Sequence, residues 1–380
     1  MRKPVQLSDR ALNRALLARQ GLLRRFDAPL VDVVETIGAM QGQAWAALPV
    51  GLWTRLASFA PADLYRALER GELRWGIGIR GTLHLVSARE HPAYAAVATE
   101  PTGSWHRAIE ATRPEMDELR AALLSFAARR ARTSDEISDF AEAWIAEHPG
   151  AIDPREVEAQ RSVKWRPIYR WSALTRVPRD GAWGSKAPID HLAAAVPQDR
   201  RQAPVREQAL AQVTRCHLRA FGPAAAEDVA GWTGARTPAI RDLLERIEGL
   251  ARFEDQHGRA LYDLPDASRP DPETPAPPRL LGAFDSTLLA YAVKRRERIL
   301  PDGLRDVVYQ QANLQIRPTF LLDGLVAGTW SIEVRRREAS LTLRPAGALA
   351  GRDLATLNEE ANGLLRTLHP ASKAHRVGVD

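Results

Sequence analysis

Residues 205–264 read VREQALAQVTRCHLRAFGPAAAEDVAGWTGARTPAIRDLLERIEGLARFEDQHGRALYDL, and this stretch carries the clearest folding pattern of the chain. Its first part has apolar residues three or four positions apart, a spacing that places them on one face of a helix. They are Val205, Ala209, Val213, Cys216 and Ala220. The sequence Phe221-Gly222-Pro223 follows and predicts the end of this first helix.

Two shorter helices are predicted next. Trp232 falls on the buried side of the second helix. Thr237 is predicted to cap the third helix, with Pro238 in its first position and Gly249 closing it. The apolar face of this third helix consists of Ile240, Leu243, Leu244, Ile247 and Leu250.

The stretch ends in a hairpin. Residues 252–254 and 260–262 are predicted strands, and they flank the polar tip formed by residues 255–259. Three helices followed by such a hairpin, or wing, are the elements of a winged helix. The third helix of a winged helix can enter a DNA groove or pack against another protein, so the fold alone does not decide the function.

Basic side chains on this unit are candidate phosphate contacts. Arg236 and Arg241 lie on the polar side of the third helix, and Arg259 lies in the hairpin tip. The same residues are equally typical of an ordinary solvated surface.

Two looser copies of the pattern lie upstream. The first has helix starts at Ser8 and Leu30, helices near 48–58 and 61–71, and a strand at 80–86.

The second copy has a helix at 116–128, a capped helix start at 133–136, a helix from Pro154 and Trp183 on its wing. We therefore predict an α+β fold of tandem winged-helix (helix-turn-helix) units that form a concave DNA-binding surface. The predicted segments are residues 1–112, 113–200 and 201–266, one winged helix each, followed by 267–380.

The last segment is predicted to be an antiparallel β/α region. Residues 265–278 are rich in proline and acidic residues, which indicates an extended connector that separates two halves of the chain. Beyond it, Asp323-Gly324 predicts a tight hairpin turn of type I′ between strands 316–322 and 326–332. A strand at 340–344 and an amphipathic helix at 354–368 complete the sheet and its cover.

The composition indicates two or three compact units and anionic partners. The chain has 380 residues and a formal net charge of +6. Basic residues cluster at four places, which phosphate binding requires but which a solvated surface also explains. They are residues 129–132, 161–170, 294–298 and 335–337, the last including the candidate DNA contacts Arg335 and Arg336.

Several function classes are not favoured. The single cysteine, Cys216, lies on an apolar helix face, so it is predicted to be a buried, inert thiol. No signal peptide or membrane-spanning run is recognisable, which predicts a cytoplasmic, nucleoid-associated protein that does not bind membranes. The histidines lack the spacing of metal ligands, and no metal site is expected.

The stretch Gly76-Ile77-Gly78-Ile79-Arg80-Gly81 matches the dinucleotide-binding motif in letters. That motif needs a preceding strand and a helix that opens at its third glycine, whereas here a strand is predicted to follow. We therefore interpret the glycines as the start of a strand that approaches another backbone closely. Asp285 and Asp323 are interpreted as turn or capping residues.

Three further stretches carry a family resemblance. They are Gly38-Ala39-Met40-Gln41-Gly42-Gln43-Ala44-Trp45, residues 50–56 (VGLWTRL) and residues 80–86 (RGTLHLV). In this order and spacing they resemble the bacterial winged-helix DNA glycosylases of the AlkZ and YcaQ type. Residues 281–285 (LGAFD) and 318–330 (PTFLLDGLVAGTW) agree, so the resemblance spans most of the chain.

The resemblance implies an active site. In that family it is a Gln-x-Gln motif in the AlkZ branch and Gln-x-Asp in the YcaQ branch, so Gln41 and Gln43 imply the AlkZ branch. Gly42 stands where the family usually has a larger apolar residue. Arg80 and His84 are further candidates for facing the same DNA-binding cleft, although a strand histidine is more often bonded within the fold.

The implied reaction is hydrolysis of the glycosidic bond of cationic N7-alkylated guanine by a monofunctional glycosylase, without AP lyase activity. Such a base leaves without being protonated, so two neutral amides can hold the water and stabilise the positive charge that develops on the sugar. Bulky natural-product adducts and interstrand crosslinks are implied substrates as well, because an open cleft does not require the base to be flipped.

The expected partner is double-stranded DNA containing alkylated guanine, with no cofactor and no obligate protein partner, and a monomer is expected. Two other functions stay open: a non-enzymatic DNA-binding protein, such as a regulator or damage sensor, and a scaffold whose winged helices bind proteins.

Overall fold

The computed structural model describes residues 4–98, 113–166, 168, 174–194, 206–312 and 314–380. Its chain divides into two compact units. The terminal unit is formed by Met1–Leu64 and Thr214–Asp380, and the middle unit by Tyr65–Val213.

The described α-helices are numbered in chain order, with α4 and α9 crossing from one unit into the other. They are α1 (Asp9–Arg19), α2 (Leu30–Ile37), α3 (Ala47–Trp53), α4 (Pro61–Glu69), α5 (His91–Ala98), α6 (Arg113–Phe126), α7 (Ser134–Glu147), α8 (Pro154–Ser162), α9 (Arg206–Phe221), α10 (Ala226–Thr233), α11 (Thr237–Arg246), α12 (Arg305–Val308) and α13 (Gly351–Leu368).

The described strands are numbered in the same way. They are β1 (Val5–Leu7), β2 (Met40–Gln41), β3 (Leu73–Ile77), β4 (Leu83–Ser87), β5 (Thr175–Pro178), β6 (Ile189–Leu192), β7 (Ala251–Asp255), β8 (Ala260–Asp263), β9 (Arg279–Leu281), β10 (Tyr309–Gln310), β11 (Gln315–Ile316), β12 (Thr319–Leu322), β13 (Leu325–Arg335), β14 (Glu338–Pro345) and β15 (Ala374–Val379).

The three helices and the hairpin predicted from residues 205–264 are present as α9, α10, α11 and the β7–β8 pair. Val205 lies outside the described residues. The predicted cap of α11 was wrong by one residue: Arg236 occupies the cap position, and Thr237 begins the helix. The helix also ends at Arg246, before Gly249, whose positive φ of 78° places it in the following turn.

Two strand pairings that were not predicted add to these three helices and the hairpin. β1 lies parallel to β7, and Ala224, between α9 and α10, forms an antiparallel bridge with Tyr262 of β8. The Arg19 guanidinium of α1 donates to both carboxylate oxygens of Asp263 at 2.7 and 2.8 Å. Both side chains are buried, so this ion pair ties the first helix of the chain to the wing.

Residues 265–278 have neither helix nor strand, as predicted, but they do not separate two halves. They belong to the terminal unit on both sides and pass along α1. Arg19 donates to the carbonyl of Ser268 and Arg14 to the carbonyl of Thr274, at 3.1 and 2.7 Å. The segment is therefore held by backbone carbonyl contacts that its composition does not indicate.

The C-terminal sheet has the strand order β15-β14-β13-β12-β9. The predicted hairpin is confirmed: Asp323 and Gly324 have φ values of 42° and 83°, the positive angles of a type I′ turn. Strands β9, β12, β13 and β14 pair antiparallel, as predicted, whereas β15, which was not predicted, runs parallel to β14. Helix α13 packs on the sheet through Leu357, Ala361, Leu364 and Leu365.

The middle unit contains the second predicted copy. Thr133 and Glu136 form the expected capping box at the start of α7, and α8 begins at Pro154 as predicted. Strands β5 and β6 form a hairpin whose connecting residues include Trp183. The Trp183 ring packs edge-on against Trp75, with 6.3 Å between ring centroids, so this side chain is anchored to the unit rather than left at a free tip.

The glycine-rich stretch lies in the β3–β4 hairpin. Its first two residues end β3, and β4 follows after a short turn, as predicted, so no α-helix opens at the third glycine and the dinucleotide motif is excluded. β4 begins at Leu83 rather than at Arg80, because Arg80 and Gly81 have positive φ values of 56° and 65° and form the turn. The expected close approach is present at Gly76, where a Cβ atom would lie 2.8 Å from the carbonyl oxygen of Leu174.

The predicted segment boundaries stay a prediction, and they differ from the two compact units. Residues 1–112 are divided between the two units. Residues 267–380 belong to the terminal unit, which also contains helices α1, α2 and α3. The boundaries at 112 and 200 lie outside the described residues.

Candidate active site

The Gln-x-Gln motif lies in the connection between α2 and α3. Gly38 ends α2 with a φ of 78°, and the chain then extends through β2 before turning into α3. Gln41 is largely buried, with 9% of its surface exposed, whereas Gln43, two residues later, is exposed. The motif therefore has one fixed and one accessible glutamine.

Gln41 is fixed through its backbone by a distant segment. Its N–H donates to the Ser286 hydroxyl oxygen at 3.1 Å, and that hydroxyl donates to the carbonyl oxygen of Ala39 at 3.2 Å. One side chain thus bonds the backbone on both sides of Met40. Ser286 is itself buried, so these bonds are shielded from water.

Gln41 and Ser286 line a cleft, and a buried ion pair between Arg55 and Asp285 lies in the wall of this cleft. The guanidinium donates to both carboxylate oxygens, at 2.9 and 2.8 Å. Burial opposes ionisation of Asp285, but the charge of Arg55 and the hydrogen bonds from Arg55 and Thr287 outweigh it and hold the pKa of this carboxyl below its usual value. The pair is therefore ionised at neutral pH and has no net charge.

Gln20 connects this ion pair to the start of the motif. Its amide oxygen accepts from the Arg55 Nε and Nη2 atoms at 3.3 and 3.2 Å. Its amide nitrogen donates to the carbonyls of Ile37 and Ala220, at 2.9 and 3.0 Å. The end of α2, directly before the motif, is thereby tied to Arg55.

The cleft is small and open to solvent. It has room for about one ordered water molecule. Besides the polar residues above, apolar and backbone groups line it, among them Met40, Gly282 and Phe284. Gly282 is required for a close approach, since a Cβ atom there would lie 3.0 Å from the carbonyl oxygen of Ala47.

The candidate DNA contacts in the terminal unit lie on the surface. Arg236 and Arg336 are exposed. The other three have carboxylate partners: Arg241 with Glu227 at 3.2 Å, Arg335 with Glu333 at 2.7 Å, and Arg259 with Asp255. Their role in DNA binding stays a prediction.

Arg80 and His84 belong to the middle unit. His84 is buried, with 2% exposed, and its Nδ1 lies 2.9 Å from the carbonyl oxygen of Thr82. Burial, together with the nearby charge of Arg80, lowers the pKa of His84 to about 3. His84 is therefore a neutral interior group, which argues against the predicted DNA contact, whereas Arg80 is half-buried and stays a candidate.

In the part of the chain that the structure describes, no group of three or more His, Cys, Asp or Glu side chains could hold a metal ion. None of the described helices is long and apolar enough to cross a membrane. Cys216 is buried, as predicted.

Sequence reasoning did not assign Gln20, Arg55 or Ser286 to the site. It correctly gave Asp285 a capping role, since its carboxylate accepts from the Thr287 N–H, but it missed the ion pair. One signal was available: Arg55 and Asp285 are single charges of opposite sign in two otherwise uncharged stretches, 50–56 and 281–285. Such charges are buried only when they are paired.

Comparisons with known proteins identify the family of this chain. A model of the family described as DNA glycosylase AlkZ-like matches residues 34–367. An interstrand DNA cross-link repair glycosylase of Streptomyces sahachiroi is 26% identical over 330 residues, which cover 83% of this chain and 85% of that protein. The solved structure of the DNA glycosylase AlkZ of Streptomyces sahachiroi has the same fold, with a TM-score of 0.77, 24% identity and coverage of 99% of this chain and 100% of the other. Because the family match covers residues 34–367, most of the chain, the protein belongs to the AlkZ-like family of DNA glycosylases.

Proposed function

We propose that this glycosylase hydrolyses the N-glycosidic bond of cationic N7-alkylated guanine in double-stranded DNA and leaves an abasic site, with Gln41 and Gln43 as the catalytic residues. The observation that supports this most is the difference between the two glutamines. Gln41 is buried and anchored by Ser286, while Gln43 is exposed. Within the described part of the chain no hydrogen bond occupies the Gln43 amide, so it is available to a ligand.

The chemistry of the pair fits a cationic base. Alkylation at N7 puts a positive charge on the ring, so the base departs as a neutral molecule and needs no general acid. The remaining task is to hold a water molecule beside the sugar and to stabilise the oxocarbenium character that develops there, which an amide oxygen can do. The room for about one water in the cleft suits this role.

The electrostatics of the wall support the same substrate. The positive charge of Arg55 would repel a cationic base and an oxocarbenium-like sugar. Asp285 neutralises it through two hydrogen bonds. The lesion therefore meets a polar wall in which the ion pair has no net charge.

The size of the cleft favours a mechanism in which the damaged base is not flipped into an enclosing pocket, and such a mechanism can accept large lesions. Because the cleft has room for only about one water molecule, we expect the damaged base to stay in or near the duplex and not to be enclosed together with a bulky group. We therefore include bulky natural-product adducts and interstrand crosslinks among the substrates; the crosslink proposal is also supported by the name of the Streptomyces relative. The exposed guanidinium groups of Arg236 and Arg336 would hold phosphates, and we expect the protein to act as a monomer.

Single-turnover release of 7-methylguanine from a methylated duplex tests the proposal. Gln41→Ala and Gln43→Ala each remove one amide and are expected to slow release by about 100-fold or more, the usual effect of losing one stabilising group at a reacting centre. DNA affinity should stay within about twofold, because neither amide bonds a phosphate in this account.

Gln208→Ala is the matched control, since Gln208 is an exposed glutamine in helix α9 whose loss leaves the cleft intact. Its release rate should equal that of the wild type. Wild-type rates in both motif variants would overturn the assignment of the glutamines, and wild-type protein that releases neither 7-methylguanine nor a bulkier N7 adduct would overturn the proposed substrate.

A further inference from the structure

The Ser286 hydroxyl bonds the backbone of the Gln-x-Gln motif from a distant part of the sequence. It lies 245 residues from Gln41, yet it accepts the Gln41 N–H and donates to the Ala39 carbonyl. A serine hydroxyl has one proton to donate, so this arrangement commits that proton to Ala39. The hydroxyl therefore bridges two backbone groups and fixes the path of the chain at Met40.

The support of Ser286 is itself rigid. Ser286 opens a 3₁₀ turn, Ser286–Leu288, whose cap is Asp285. The Asp285 Oδ1 atom accepts from the Thr287 N–H at 3.0 Å and from the Thr287 hydroxyl at 2.8 Å. Arg55 donates to both oxygens of the same carboxylate, at 2.9 and 2.8 Å. The turn cannot shift without breaking a buried ion pair.

A second tie fixes the approach to the motif. Gln20 bonds the carbonyl of Ile37, the last residue of α2, and also bonds Arg55. The ion pair thus holds the chain directly before the motif through Gln20 and holds the motif itself through Ser286. Both ties originate in the same buried charge pair.

We propose that Ser286 is a positioning residue of the glycosylase reaction, which acts through the backbone of Gln41 to set the place of its amide in the cleft; this inference rests on the proposed catalytic role of Gln41. Catalytic groups must lie within a fraction of an ångström of their productive position. A displacement of about 1 Å can cost about 100-fold in rate. Loss of the Ser286 hydroxyl is therefore expected to reduce excision while leaving the phosphate contacts unchanged.

The experiment compares four variants with the wild type. Ser286→Ala removes the hydroxyl, Ser286→Cys keeps a group of similar volume that bonds weakly, and Ser286→Thr keeps the hydroxyl. Thr233→Val is the matched control, because the buried Thr233 hydroxyl also donates to a carbonyl, that of Val229 at 2.8 Å, and accepts an N–H, that of Ala235 at 3.2 Å.

Three quantities are measured for each variant: the single-turnover rate of 7-methylguanine release, the dissociation constant for the same duplex, and the rate of hydrogen exchange at the backbone N–H of Gln41. We expect Ser286→Ala and Ser286→Cys to lower the release rate by about 10- to 100-fold with an unchanged dissociation constant. Hydrogen exchange at the Gln41 backbone N–H should be faster in both of these variants. Ser286→Thr and Thr233→Val should stay within about threefold of the wild-type rate.

Wild-type release in a folded Ser286→Ala or Ser286→Cys variant would overturn the inference, and so would an equal loss of activity in Thr233→Val, since that would mark a general effect of losing a buried hydroxyl. If the wild type releases neither 7-methylguanine nor a bulkier N7 adduct, the proposed function fails instead. The exchange measurement then still decides whether Ser286 fixes Gln41: unchanged exchange in the Ser286 variants would refute it.

Discussion

At the scale of single residues, the site depends on two buried charges that neutralise each other. Arg55 and Asp285 are both nearly inaccessible to water, so neither could be buried alone at an acceptable cost in free energy. The pKa of Asp285 is lowered in the folded protein, which means that the stabilisation it provides is present above the ordinary aspartate pKa and is lost as the pH falls through the lower, folded-state value.

Removing the negative charge should therefore destabilise the protein. In Asp285→Asn the Arg55 guanidinium stays buried without a counter-ion, and the expected loss in the free energy of unfolding is about 3–5 kcal/mol. Urea unfolding measures it. The control is Glu333→Gln, which breaks a pair with Arg335 whose side chains are 61% and 80% exposed. We expect little change there, because exposed ion pairs contribute little; an equally small change in Asp285→Asn would contradict the role given to the buried pair.

At the scale of elements, the Asp323-Gly324 turn combines a local and a distant constraint. Gly324 has a φ of 83°, which residues with a Cβ rarely adopt, and a Cβ atom there would lie 2.5 Å from Leu17 Cδ1 and 2.6 Å from Asn13 Oδ1 of α1. Asp323 also accepts hydrogen bonds from Arg10 and Arg14 of the same helix. The hairpin turn is thus part of the packing against α1.

Gly324→Ala should consequently lower the free energy of unfolding by about 1–3 kcal/mol, because it strains the turn and displaces α1. Gly347→Ala is the control, since a Cβ atom at Gly347 would meet nothing within 4 Å. Chemical denaturation of both variants checks this. If the two substitutions had the same small effect, the turn would not be the constraint described here.

Elements whose signal is local could be predicted from the sequence. The Thr133–Glu136 capping box and the Asp323-Gly324 turn depend on residues within four positions of each other, and both are present. Strands β1 and β15 were missed because their partners lie far away in the chain, and short strands have no pattern of their own. The family resemblance suggested Gln41 and Gln43 as the proposed catalytic pair, but the hydrogen bond from the Gln41 N–H to Ser286 joins residues 245 positions apart, and no local pattern contains it.

At the scale of the whole molecule, the two ends of the chain form one compact unit. Residues up to Leu64 fold with residues from Thr214 onward, and the candidate active site draws on both parts. The predicted segments, which follow one another along the chain, therefore do not coincide with the two compact units. The reason is again physical: the Arg19–Asp263 and Arg55–Asp285 ion pairs join residues more than 200 positions apart, and composition does not show which charges will meet.

We propose that the site suits a base that already carries a positive charge. The most direct test places a single 7-methylguanine or a single uracil in otherwise identical duplexes and measures base release by the wild-type protein under single-turnover conditions. We expect release of 7-methylguanine and no release of uracil above the uncatalysed rate, because a neutral lesion needs a general acid that two glutamines cannot supply. Comparable release of both bases, or release of uracil alone, would contradict it.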